Sequence, residues 1–244
     1  MSTSVKIPAS SPDALNQVHE LLGEWRCAGR RYINEADSKA LLSTIGLPVP
    51  RRGSSALSAV KFCSDAAMHK SELGLVQLRI TPNDIEAATR TVLHNAQATG
   101  LLDGKVLVEE MVTDTLLEWF VGCRNDRTFG PVIALGVGGI YAELFGDPVI
   151  RLAPLDEEAS LAAIKSHRAF PIIDGARGRQ KANHLQFARV LSNVSKFFAA
   201  AHHLIDEVDL NPVLVRPGSS ADSIVIADAS LVLSSDDNAT PCCS

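Results

Sequence analysis

Four groups of residues in this chain have types and spacings that could carry chemistry. The first is a pair. A symmetric turn at Pro217-Gly218-Ser219-Ser220 that sets Val215 opposite Ile224 also sets Asn211 opposite Asp228. Opposed side chains on one sheet face stand roughly 5 Å apart at Cβ, and a carboxylate beside an amide oxygen offers hard donors to a cation such as Mg²⁺. Glu207 and Asp209 share that face by the two-residue period of a strand. The same residues also read as plain strand ends, Asn-Pro and Asp-Ala.

The second group runs from Lys61 to Gly74 and packs Lys61, His69 and Lys70 into a short, partly polar stretch. Imidazole is a nucleophile and proton carrier near neutral pH, and an ammonium offers phosphate a point charge. A histidine at a helix end or on a surface gives the same signal. The third, Gly136-Val137-Gly138-Gly139-Ile140, follows an apolar run. Glycines let backbone N–H groups approach an oxyanion, but the segment lacks the Lys-Ser/Thr of a P-loop and also fits a tight turn. The fourth is the apolar run Val106–Val112 carrying Glu109 and Glu110, with Glu118 in the next run. A core hairpin with solvent-facing acids fits it equally. There is no G-x-S-x-G elbow, no H-E-x-x-H and no C-x-x-C pair.

Elements that must position these groups follow from periodicity. Asn34 caps a helix over 35–45, with Asp37 at its third position, a stripe of Ala40, Leu41, Thr44 and Ile45, Gly46 at its end and Pro48 beyond. Residues 48–55 read as a loop. Apolar runs bounded by turn residues predict strands at 73–80, 106–112, 116–122, 131–136, 208–215 and 224–232. Helices are predicted at 83–98, capped by Asn83, at about 157–168, opened by Asp156, and at about 182–201. In the last, Phe187, Val190, Leu191, Val194, Phe197 and Phe198 recur at helical spacing. Hairpins mixed with helices, without strict βαβ alternation, indicate an α+β fold.

Length and composition bound the function. The 244 residues suffice for one large domain or two lobes around a cleft, and 46% hydrophobic with 21% charged residues is an ordinary globular balance. A net charge of −5 with no basic run argues against a nucleic-acid or anionic-membrane partner. Five cysteines, two of them adjacent in the tail, show no paired spacing and point to a reducing, cytoplasmic setting. Residues 1–32 are expected to be a leader, helical or with little structure, 33–235 the functional domain, and 236–244 a tail.

In order along the chain, these signals resemble the ATP-grasp domain of ADP-forming acetyl-CoA synthetases, relatives of the succinyl-CoA synthetase β subunit. The resemblance spans about 33–233. It rests on Glu35–Leu42 leading to Gly46-Leu47-Pro48-Val49-Pro50, on His69-Lys70-Ser71-Glu72-Leu73-Gly74, Val108–Val112, Phe129–Val132 and Gly136–Ile140, and on Arg151–Leu155, Asp209–Pro212 and Asp228-Ala229. It implies an ATP-grasp fold with a small lobe at about 47–112 and a large lobe at about 113–235. It implies that Lys61 touches nucleotide phosphates, that Glu109, Glu110, Met111 and Val112 form the hinge at adenine, and that Glu118 lies on the ribose side. Gly138 and Gly139 lie at the phosphates, Asn211 and Asp228 hold Mg²⁺, and His69 relays a phosphoryl group. The implied reaction is acyl-CoA + ADP + phosphate ⇌ acid + CoA + ATP, run with a CoA-binding α-type subunit that carries the primary phosphohistidine, in a hetero-oligomer. This chain departs from the family in having only ten residues between Pro50 and Lys61, which shortens the small lobe, and in Ser64-Asp65-Ala66 where the family has Ser-Pro-Asp. The alternative it leaves is a catalytically impaired nucleotide-binding or structural subunit.

Overall fold

A computed structural model of the chain describes residues 12–67, 70, 72–139, 146 and 148–235. Helix α1 (Pro12–Cys27) buries Val18 and Leu22 in the main core. A two-residue strand β1 (Tyr32–Ile33) leads to α2 (Glu35–Thr44), where the Asn34 side chain accepts the Asp37 N–H at 3.2 Å. The inward side of α2 differs from the expected stripe. Ala40 and Thr44 are exposed, while Glu35 and Lys39, one turn apart, are buried with Leu41, Leu42 and Ile45. Charged partners from other elements meet Glu35 and Lys39, and this makes a charged inner edge tolerable.

Next come β2 (Ser58–Cys63), β3 (Val76–Ile80), α3 (Ile85–Ala98) and β4 (Lys105–Glu110), which build a separate antiparallel sheet in the order β3-β2-β4. Strand β2 is absent from the periodicity reading because Lys61 interrupts its apolar run. Every residue of β2 is buried. Val60 and Phe62 pack with Leu75, Ala88, Val92 and Ala96 under α3, and Lys61 takes the opposite face. Helix α3 begins at Ile85 rather than at Asn83. A 3₁₀ turn over Pro82–Asp84, held by the Thr81 hydroxyl on Asp84 at 2.5 Å, occupies the expected first positions.

The remainder comprises β5 (Leu117–Asp126), β6 (Gly130–Val137), β7 (Val149–Leu152), α4 (Glu157–Ser166), α5 (Phe170–Ile173), α6 (His184–Ala201), β8 (Ile205–Val215), β9 (Ile224–Ile226) and β10 (Ser230–Leu233). With β1 they form a seven-stranded sheet, β1-β10-β8-β5-β6-β7, with β9 beside β8. Helices α1, α4 and α6 contribute Leu22, Ile164, Phe187, Leu191 and Phe198 to one core with Trp119, Val121, Ile133 and Leu210 of the sheet. Each such side chain contributes roughly 1.5–3 kcal/mol on burial. Among the described residues all strand pairings are antiparallel, which agrees with the hairpin-rich α+β expectation.

Candidate functional site

The β8–β9 hairpin has the register expected from a symmetric turn. Val215 pairs with Ile224, Leu214 with Val225 and Val213 with Ile226. The same alignment continues beyond β9, because the Ala227 N–H donates to Pro212 at 3.0 Å and the Asn211 N–H to Asp228 at 3.2 Å. Asn211 and Asp228 are thus direct cross-strand neighbours. Asp209 is two residues away on β8, and burial, then Glu207 and Asp228, push its carboxyl up to about 6.

Ala227 and Asp228 meet the small sheet through six charged side chains. The period of β2 and β4 puts Lys61 and Glu109 on the face turned away from α3, with Lys61 opposite Leu107 and Glu109 opposite Ala59. Helix α2 supplies Glu35 and Lys39. Glu35 Oε1 accepts Lys61 Nζ at 2.5 Å and Lys39 Nζ at 2.7 Å. Glu109 accepts Lys39 at 2.5 Å and pairs with Lys61 at 2.9 Å. The Ala227 carbonyl accepts both lysines, at 3.1 Å from Lys39 and 2.9 Å from Lys61. Lys70 completes the set, pairing with Glu35 and reaching both oxygens of Asp228 at 2.9 and 2.8 Å.

Three ammonium groups thus face three carboxylates in a nearly closed space, with 2% exposure at Glu35 and Glu109, 3% at Lys39 and 7% at Lys61. Buried charge survives only when paired this fully. Burial opposes ionisation of Glu35, but Lys61, Lys39 and Lys70 outweigh it and hold the carboxyl far below its usual range. Burial likewise works against the charge on Lys70, and Glu35 and Asp228 raise it to about 12 regardless. At Asp228 the balance runs the other way. Burial and then Glu35 raise its carboxyl despite Lys70 and Lys61.

A cleft opens beside this network, between the two sheets. Lys61, Glu118 and Asp228 line it together with Pro50, Ala59, Val76, Leu78, Met111, Val112 and Leu214. Glu109 and Glu110 also reach it. The Glu109 carboxylate is engaged by Lys39 and Lys61, and that of Glu110 pairs with Arg51 at 2.7 Å. Backbone bonds tie the end of β4 to the segment before β2, with the Met111 N–H on Leu57 at 2.8 Å and the Glu110 N–H on Arg51 at 2.9 Å. The glycine segment packs against Glu118, which lines the cleft. The Gly138 N–H donates to the Glu118 carbonyl at 2.8 Å. A Cβ on Gly139, which has φ +59°, would stand 2.5 Å from Glu118 Oε2, and one on Gly138 would stand 3.3 Å from Asn211 Oδ1. The left-handed backbone at Gly139 favours glycine, whereas a methyl at Gly138 would only be tight against Asn211. Lys61, Glu118, Gly138, Gly139, Asn211 and Asp228 are brought together, whereas His69 and residues 236–244 lie outside the described residues.

Glu35 and Lys39 were missed in the sequence. Their spacing on a capped helix is that of an ordinary surface pair, i and i+4, and only the partners from β2, β4 and the 227–228 turn distinguish them.

Comparison with known proteins fits this geometry. Residues 24–233 match the family described as ATP-grasp domain. The chain is 31% identical to subunit beta of acetate–CoA ligase (ADP-forming) II from Pyrococcus furiosus, over 91% of this chain and 98% of that one. It is 34% identical to acetate–CoA ligase (ADP-forming) I from Archaeoglobus fulgidus over 75% of this chain, but spans only 25% of that longer protein. The solved structure of Ca. Korarchaeum cryptofilum dinucleotide-forming acetyl-coenzyme A synthetase 1, in complex with coenzyme A and Mg-AMPPCP, superposes with a TM-score of 0.76 at 26% identity, covering 89% of this chain and 100% of that one. Fold and cleft thus define an ATP-grasp domain. The chain belongs to the ATP-grasp family, in the branch of the ADP-forming acetate–CoA ligase β subunits.

Proposed function

We propose that the chain is the nucleotide-binding subunit of a nucleoside-diphosphate-forming acyl-CoA synthetase, with a small lobe at about 47–112 and a large lobe at about 113–235. A CoA-binding α-type subunit carrying the primary phosphohistidine completes the reaction acyl-CoA + ADP + phosphate ⇌ acid + CoA + ATP. The observation that carries this reading is the cleft itself, with apolar walls at Val76, Leu78, Met111 and Leu214 and charged groups at Lys61, Glu118 and Asp228. Apolar walls suit a planar base, and the charged end suits phosphates.

The residues fit Mg²⁺. The Asp228 carboxylate and the Asn211 amide are cross-strand neighbours offering hard oxygen donors, and Asp228 already attracts an ammonium to both of its oxygens. When bound, Mg²⁺ supplies charge neutralisation for the phosphate oxygens. Lys61 adds charge from the small sheet, and the Gly138–Gly139 segment lets the backbone come close. His69, by its place in the family motif, accepts the phosphoryl group from the partner's phosphohistidine and passes it to ADP.

The impaired-subunit alternative is not favoured. The short segment before Lys61 leaves β2 intact and paired on both sides. No helix among the described residues is long and apolar enough to cross a membrane. The buried free thiols of Cys63 and Cys123 fit a reducing, cytoplasmic setting.

A titration tests this. Asp228→Ala is expected to weaken Mg·ADP binding at least tenfold while leaving the fold intact, and unchanged affinity refutes the metal role. With the partner subunit and labelled ATP, the wild type should acquire an acid-labile, base-stable phosphate that His69→Ala lacks at little cost in ADP affinity. The isolated chain should make no acyl-CoA.

A further inference from the structure

Lys70 stands where a cation would have to arrive. Its ammonium lies 2.9 Å from Oδ1 and 2.8 Å from Oδ2 of Asp228, so both oxygens of that carboxylate already face positive charge. Lys70 also pairs with Glu35, and Glu35 has two further ammonium partners in Lys39 and Lys61. The two anions that share Lys70 are therefore unequal. Glu35 stays compensated if Lys70 turns, whereas Asp228 needs another cation in its place. Lys70 is also the less enclosed of the lysines on Glu35, with 14% of its side chain exposed against 3% and 8% for Lys39 and Lys61.

We propose that Lys70 is an exchangeable counter-cation, holding Asp228 while the cleft is empty and ceding it to the metal when metal and nucleotide arrive together, its charge then turning to the phosphates. A metal arriving alone has to displace an ammonium that has no new anion to receive it. With nucleotide present, the phosphate oxygens receive it, and the three donors of an ammonium allow Lys70 to keep Glu35 at the same time. Metal affinity thereby depends on nucleotide, and by linkage nucleotide affinity depends on metal to the same degree. Lys70 thus enforces joint binding and serves as a phosphate-binding residue that the sequence motif does not assign. The proposal rests on the reading of Asp228 as a metal ligand.

The test measures Mn²⁺ binding to the full chain by electron paramagnetic resonance, with and without ADP, in the wild type, Lys70→Met, Lys70→Arg and Asp228→Asn. Lys70→Met should bind Mn²⁺ without nucleotide about tenfold more tightly than wild type, and the gain in Mn²⁺ affinity on adding ADP should shrink. Lys70→Arg, which keeps the charge, should follow wild type. Because Glu35 retains Lys39 and Lys61, the Met variant should fold, and Lys70→Gln carries the same expectation if it does not. A gain below threefold, or a loss, in the uncharged variants overturns the proposal while leaving the metal site standing, provided that Asp228→Asn weakens Mn·ADP binding. If Asp228→Asn leaves Mn·ADP binding unchanged, the metal-ligand reading fails and the Lys70 proposal fails with it.

Discussion

Two charge clusters touch the same pair of strands and the same helix, yet they sit in different media. At the middle of β2 and β4, Lys61 and Glu109 join Glu35 and Lys39 of α2, with side-chain exposures of 8%, 2%, 0% and 3%. Where those strands end, at Cys63 opposite Lys105, the partners are Asp65 and Lys105 together with Asp37 of α2 and Arg30 before it, exposed by 34%, 50%, 21% and 23%. The outer cluster has good geometry. Arg30 forks onto Asp65 at 2.6 and 2.8 Å and reaches Asp37 at 2.8 Å, over the Trp25 ring at 5.1 Å. Its ions keep much of their hydration, so they gain little by pairing and lose little when separated. The inner ions have given up water and depend on one another. The difference lies in the medium and not in the number of bonds.

The largest effect should therefore come from Glu35→Leu. It removes the carboxylate shared by three lysines and leaves their charges to Glu109 and Asp228. Breaking a buried ion network in this way costs about 3–5 kcal/mol, read as a lower urea midpoint at unchanged slope. A loss below about 1 kcal/mol would erase the distinction between the clusters.

A smaller effect is expected from Asp65→Asn in the outer cluster, about 1 kcal/mol at neutral pH. Its pH dependence sharpens the comparison. Burial works to raise the Asp65 carboxyl, but hydrogen bonds from Arg30 and Asn34 prevail and hold it below its ordinary value. Asp37 is likewise held down, against burial, by Lys105 and Arg30. A depressed folded-state value means that the contribution is fully present above the unfolded carboxyl range, near pH 4, and fades as pH falls through the folded value. The wild type should thus lose stability between about pH 4 and 2 faster than Asp65→Asn does. Parallel acid limbs in the two proteins would count against this account.

How much of this could be read from the sequence follows the same divide. The Asn211–Asp228 register was legible because a short hairpin fixes pairing by local geometry. So were the Asn34 and Asp156 caps. Each depends on residues close in sequence, or on a period that one strand or helix imposes. Strand β2 was not legible, since a lysine in an apolar run looks like a break until three distant elements supply its counter-ions. Glu35 was hidden for the same reason. Its three partners lie four, 26 and 35 residues away, and its neutral-looking i,i+4 spacing says nothing of burial. The inward side of α2 departs from its apolar stripe because charge pairing as well as hydrophobicity draws side chains inward there.

The smallest effect should come from Glu110, which adjoins Glu109 on β4 but points the other way. Its carboxylate meets Arg51 at 2.7 Å, and the Arg51 side chain is 87% exposed, so solvent screens the pair. The residue's structural work is done by its backbone, whose N–H donates to the Arg51 carbonyl at 2.9 Å and which pairs with Ser58 across the sheet. Glu110→Gln keeps that backbone and the side-chain length while removing the charge. It should leave the melting temperature unchanged and ADP affinity within twofold, because the carboxylate serves only a solvent-screened pair with an exposed arginine. Glu109→Gln, one residue away, should lower the melting temperature, since Lys39 and Lys61 would lose their second anion in the buried space. Equal behaviour of the two variants would mean that alternation across β4 does not divide wet charge from dry charge, and the contrast between the clusters would fail at its closest pair.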